Sequence, residues 1–132
     1  MNVLTGVLAY HSLATLVFSP MLIFAPEKLM KAGRKAEAKK NDAPTSVSKK
    51  PDKTATVMRF CGIWVFYGGL SSLYATGYFS PVPTELQVLV AGGLAFIHAS
   101  EAVMKMMYTD SHMSNTHMAV LLTGAVLYTR NM

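Results

Sequence analysis

The chain has few charged residues, a single cysteine and none of the common catalytic motifs. Charged residues make up 14% of its 132 residues and hydrophobic residues 52%, a composition too apolar for an ordinary soluble domain. With Cys61 alone, an internal disulfide is excluded. Signatures for phosphate loops, dinucleotide binding, zinc proteases, redox cysteines and serine hydrolases are all missing. We therefore predict one membrane domain over residues 1–132 that is not an enzyme.

Four apolar runs predict four transmembrane helices over residues 3–25, 60–79, 86–108 and 113–128. The first carries no charge and as a helix would be about 34 Å long, more than the hydrocarbon core of about 30 Å. The fourth would cover only about 24 Å. No period-two pattern of a barrel persists. The predicted fold class is all-α: a four-transmembrane-helix bundle with an interfacial or extended basic loop between helices 1 and 2.

Two other interpretations of the apolar runs fit the sequence less well than membrane-spanning helices. A secretory signal would have Lys or Arg before the first run and a small-residue cleavage site after it, and neither is present. A soluble bundle would give its helices a polar face, which the first two runs lack. Membrane-spanning helices account for the pattern better than either.

Residues 27–59 form a strongly basic segment that holds ten of the twelve Lys and Arg residues. The positive-inside rule places this loop in cytoplasm, matrix or stroma and both termini on the opposite side. Its first part predicts a short interfacial helix. No nucleic-acid motif accompanies the charges. The loop is either a solvated topology signal or a contact surface for a partner or anionic lipids. The predicted contact residues are Lys28, Lys31, Arg34, Lys35, Lys39 and Lys40.

Small residues recur on one face of three of the predicted spans. Such stripes let helix backbones approach closely in a membrane, where hydrophobicity no longer drives association. We therefore expect close antiparallel packing of these spans. The stripes consist of Thr5, Ala9, Ser12 and Ser19, of Cys61, Gly68, Ser72 and Ala75, and of Ala91, Ala95, Ala99 and Ala102.

The third span carries ionisable residues on one face, at His98, Glu101 and Lys105. Glu101 and Lys105 can pair at the i, i+4 spacing, and Arg59 falls at a depth similar to that of Glu101. We predict an Arg59–Glu101 ion pair that ties span two to span three. A proton or substrate path is the alternative, but it would need polar groups continuing across the membrane.

His11 and His98 are the candidate cofactor ligands. Two facing neutral imidazoles can ligate a haem iron, and one imidazole can hold the magnesium of a chlorophyll. Counted along the helices from the non-basic face, however, the two lie at unmatched depths of about 12 and 18 Å. A histidine bonded to a serine or a carbonyl is the plainer alternative. No cofactor is required by the sequence, although a bound phospholipid is expected.

Met58-Arg59-Phe60-Cys61-Gly62, leading into Phe66-Tyr67-Gly68-Gly69-Leu70, resembles the opening of a helix in DoxX-like small four-span membrane proteins. The resemblance covers these two short segments only. It implies a four-span fold and carries no function over to this chain.

The absence of catalytic motifs predicts a non-catalytic accessory subunit of a large energy-transducing membrane complex, in contact with other membrane subunits. The first span has no cleavable presequence before it, which favours the respiratory chain of the mitochondrial inner membrane, with the loop in the matrix and the termini in the intermembrane space. A thylakoid or bacterial inner membrane is the alternative. The competing functions are a pigment- or haem-binding subunit that uses His98 and His11, and a small independent transporter or DoxX-like protein.

Overall fold

The computed structural model describes residues 2–29, 53–108 and 113–132. In these ranges the chain forms four α-helices and no strand, which confirms the all-α prediction for this part of the protein. The helices are α1 (Val3–Phe24), α2 (Lys53–Ala75), α3 (Thr84–Tyr108) and α4 (Met113–Asn131).

The helices differ from the predicted spans mainly in α2 and α4. Helix α2 begins at Lys53, so residues 53–59 are helical and do not belong to the loop in which we placed them. The apolar run that predicted the span begins only at Phe60, because the charged Lys53 and Arg59 lower the hydropathy of the preceding residues. Lysine and arginine nevertheless form helix readily, so the helix itself begins earlier. Helix α4 continues to Asn131, and its 19 residues reach about 28 Å.

Two of the four helices are long and apolar enough to cross a membrane, namely α1 and the Thr84–Val103 part of α3. The test is one of length and composition, and a signal sequence or the core helix of a soluble protein also passes it. Helices α2 and α4 do not pass, since charged and strongly polar residues lower their mean hydropathy: Lys53 and Arg59 in α2, and Asn115, His117 and Arg130 in α4.

A sharp turn joins α2 to α3, as the two prolines near its end predict. Gly77 has a φ of 76°, a left-handed conformation that glycine adopts at little cost, and it follows the last turn of α2. The side-chain amide of the buried Gln87 donates to the Ala75 carbonyl at 2.9 Å. This bond satisfies a carbonyl that the end of α2 leaves without a helical partner.

The described residues divide into two compact units, and the larger comprises Met1–Ala14 and Gly68–Met132. All four helices contribute to its apolar core, α3 and α4 by packing directly against each other. Four of its nine side chains are alanines, which allow close helix approach. The core side chains are Leu4, Leu8, Ala75, Ala91, Leu94, Ala95, Met118, Leu122 and Ala125.

The predicted small-residue stripes are buried in most of their described positions. Ala9, Cys61 and Ala99 are exposed, and Thr5 and Gly68 are half-buried. The stripes therefore mark packing faces, although not without interruption. The buried members are Ser12, Ser19, Ser72, Ala75, Ala91, Ala95 and Ala102.

The second unit, Thr15–Tyr67, pairs the end of α1 with the start of α2. At Gly62 the two backbones come so close that a Cβ there would lie 2.8 Å from the Cβ of Leu22 and 3.0 Å from the amide nitrogen of Ile23. Arg59 donates to the Glu27 carboxylate at 2.8 Å on the surface of the same unit. Gly62 is thus required by the close contact between α1 and α2.

Replacing Gly62 with alanine should destabilise the protein, because the added methyl group overlaps Leu22 and the backbone of Ile23. We expect a loss of about 1–3 kcal/mol, the usual cost of overpacking, measured by thermal unfolding of the detergent-purified chain. Gly92→Ala is the matched control, since a Cβ at that helical glycine meets nothing within 4 Å. It should leave the midpoint unchanged or raise it. Equal effects of the two substitutions would refute the close contact.

Candidate functional site

Three helices bring polar side chains together in the interior of the larger unit. His11 comes from α1, Ser72 from α2 and His98 from α3. His11 is only 1% exposed and Ser72 is fully buried, whereas His98 is partly exposed. His11 is therefore enclosed, and the His98 ring is only partly exposed, with its Nδ1 atom buried.

The three side chains form one hydrogen-bonded chain. His11 Nδ1 lies 2.6 Å from Ser72 Oγ, and His11 Nε2 lies 2.9 Å from His98 Nε2. Ser72 Oγ in turn donates to the carbonyl of Gly68 at 2.9 Å, one turn earlier in α2. The two rings meet edge to face, with centroids 5.1 Å apart and planes inclined by 73°. Both nitrogens of the buried ring are thereby satisfied.

The position of the serine proton decides the tautomers of both rings. Since the Ser72 hydroxyl gives its one proton to the Gly68 carbonyl, it accepts from His11 Nδ1–H. His11 Nε2 then has no proton and accepts from His98 Nε2–H.

The structure brings together the two histidines that the sequence singled out, and it corrects their predicted mismatch in depth. The count along the chain assumed upright helices whose first apolar residues lie at one level. The contact of 2.9 Å between the Nε2 atoms shows that this assumption fails. Ser72 was predicted only as a packing residue, and its role at His11 matches the alternative of a histidine bonded to a serine.

The contact is too short for an iron between two trans histidine ligands. With metal–nitrogen bonds of about 2 Å, trans ligands lie about 4 Å apart. Ligation of a haem by both rings requires His11 and His98 to separate by about 1 Å from the distance of 2.9 Å. Ligation of a haem or chlorophyll by one ring requires only that this ring give up its hydrogen bond to the other.

Other predicted residues have partners that the sequence did not suggest. Asn115 donates its side-chain amide to the Glu101 carboxylate at 2.7 Å and so ties α4 to α3. Arg59 binds Glu27, with both side chains about half exposed. The predicted Arg59–Glu101 pair joins residues of different units and stays a prediction.

Part of the predicted contact surface falls outside the described residues. Lys28 is exposed at the end of the first described range. The side chain of Lys105 is not among those described, and neither are the remaining loop residues Lys31, Arg34, Lys35, Lys39 and Lys40. Within the ranges that the structure describes, no group of three or more His, Cys, Asp or Glu side chains could hold a metal ion.

Comparison with known proteins finds no relative for the chain. No family model, no curated protein and no solved structure matches it. The resemblance to DoxX-like proteins therefore remains confined to the two short segments around Arg59 and Gly68.

Replacing Ser72 with alanine should destabilise the protein by about 1–3 kcal/mol, because it leaves the buried His11 Nδ1 without its partner. The measurement is thermal unfolding followed by circular dichroism. Ser100→Ala removes a similar serine-to-carbonyl bond on the exposed face of α3 and should change stability by less than about 0.5 kcal/mol. A Ser72→Ala protein as stable as the Ser100→Ala control would contradict the role of Ser72.

Proposed function

We propose that the chain is an integral membrane protein of four spans that serves as a non-catalytic accessory subunit of a large energy-transducing complex. The observation that carries the proposal is the apolar surface of the helices. Phe18 and Phe24 on α1, Trp64 on α2 and Phe96 on α3 are between 46% and 81% exposed. Such side chains need lipid or a protein neighbour around them.

Burial argues against a core helix of a soluble protein. Such a helix is mostly buried, yet only 28% of the apolar window in α1 and 33% of that in α3 is buried. Helix α2 supports the same conclusion, because Phe60, Ile63, Trp64 and Tyr67 are all more than half exposed. Lipid around the helices accounts for these exposed apolar side chains. It also accounts for the hydrogen bonds between polar side chains in the interior, which have no water to bond to.

An accessory role fits the polar contacts of the described residues. Asn115–Glu101, Gln87–Ala75 and the His11 chain each join neighbouring helices, as expected of a scaffold. The finer assignment follows the sequence: the basic loop would face the matrix of the mitochondrial inner membrane and contact anionic lipids or other subunits of the respiratory chain. The same charge pattern is also compatible with a thylakoid or bacterial inner membrane.

The proposal is tested on native gels of membranes solubilised in mild detergent. We expect the chain to stay with the membrane through alkaline extraction and to migrate with an assembly far larger than its own 14.4 kDa. Release by alkali would refute membrane insertion. Migration as a free monomer or dimer would refute the accessory role and would favour an independent transporter. Blotting in parallel for a marker of each membrane assigns the compartment.

A pigment- or haem-binding subunit is the second candidate, favoured by the partly exposed His98, which can serve as a single ligand. The 2.9 Å contact between the Nε2 atoms of His11 and His98 is too short for both rings to hold one iron. The absorption spectrum of the protein purified from its native membrane provides the test. We expect a Soret or chlorophyll band that disappears in His98→Gln and persists in His117→Gln, a histidine exposed on α4. A spectrum without either band would exclude this candidate.

A further inference from the structure

We propose that four exposed aromatic side chains at one end of the larger unit form a collar that lies in the interfacial layer of a bilayer, between the lipid headgroups and the hydrocarbon. Tyr74 comes from α2, Tyr78 and Phe79 from the turn that follows it, and Tyr128 from α4. The collar depends on the membrane insertion proposed above, and it specifies the lipid layer that this end of the protein contacts.

The four rings are all more than half exposed, and Tyr78 reaches 82%. Tyr78 and Phe79 stack edge to face, with centroids 5.2 Å apart and planes inclined by 89°. A turn that lies in water usually consists of small and polar residues. Two stacked rings in this turn instead favour surroundings that are partly apolar.

Tyr74 lies at the level of the first turn of α3. The side-chain amide of Gln87 donates to the carbonyl of Ala75, the residue after Tyr74, at 2.9 Å. Gln87 is the fourth residue of α3, which begins at Thr84. The end of α2 and the start of α3 therefore share one end of the unit with the turn between them.

Tyr128 lies at nearly the same level. Helices α3 and α4 pack directly against each other and only four residues separate them, so they run antiparallel. The bond between Asn115 and Glu101 sets their register. Tyr128 is thirteen residues after Asn115, and Val88 is thirteen residues before Glu101. Tyr128 is therefore opposite Val88, about 6 Å along α3 from Thr84.

This level matches both the border of the apolar part of α3 and the thickness of the interfacial layer. The candidate span in α3 begins at Thr84, and the interfacial layer on each side of the hydrocarbon is about 5–8 Å thick. Tyrosine suits this layer, because its ring is apolar while its hydroxyl bonds to water and to lipid ester carbonyls. Glu85 and Arg130 are exposed close to the same border, where headgroups and water solvate their charges.

The test measures the depth of a single tryptophan in vesicles of phosphatidylcholine. The only tryptophan, Trp64, is replaced by phenylalanine, and Tyr78→Trp, Tyr128→Trp and Phe96→Trp are then made singly. Phe96 is the matched control, since it is 74% exposed and lies about 18 Å along α3 from Thr84, near the bilayer centre. Tryptophan fluorescence is compared between lipids brominated near the ester carbonyls and lipids brominated near the chain ends.

We expect the shallow bromines to quench Tyr78→Trp and Tyr128→Trp at least about twice as strongly as the deep bromines, and the reverse for Phe96→Trp. Deep quenching of all three variants would refute the collar while leaving membrane insertion intact. Quenching of the two collar variants by aqueous iodide alone would refute it as well, and so would shielding from bromine and iodide alike, as under a protein partner. A Phe96→Trp variant that no bromine quenches would refute insertion itself. The two collar variants lie on separate elements, so either one that folds decides the outcome.

Discussion

The hydrogen bonds of the His11 ring are the constraint around which the larger unit is arranged. A buried imidazole has two nitrogens to satisfy, and in an apolar bundle no solvent can do it. Helix α2 supplies Ser72 at Nδ1 and helix α3 supplies His98 at Nε2. Each bond holds one neighbouring helix against α1 at a defined point. Apolar side chains alone tolerate several registers, since their attraction has no direction.

These bonds can form only because the facing positions carry small side chains. Ser72 contacts His11 directly, and a Cβ at Gly68 would lie 3.4 Å from the Leu94 side chain. Gly68 thus combines two roles: it leaves room for α3 and its carbonyl accepts the Ser72 proton. Packing and polar satisfaction therefore meet at the same turn of α2.

The helical fold could be predicted from the sequence, because long uncharged runs and the two prolines before α3 act locally. The start of α2 could not, since hydropathy reports burial in lipid and not helix formation. The candidate histidines were found from their chemistry, but their contact depends on helix tilt and relative height, which no single span encodes. The bond from Asn115 to Glu101 could not be predicted for a different reason: Asn115 is neutral, and the pairing of opposite charges does not point to it.

The end of the hydrogen-bonded chain bears on what the histidines can do. A path for protons needs groups that both accept and donate, and a backbone carbonyl only accepts. The chain runs from His98 through His11 and Ser72 to the Gly68 carbonyl, where it stops. Protons therefore cannot pass beyond Ser72 along it.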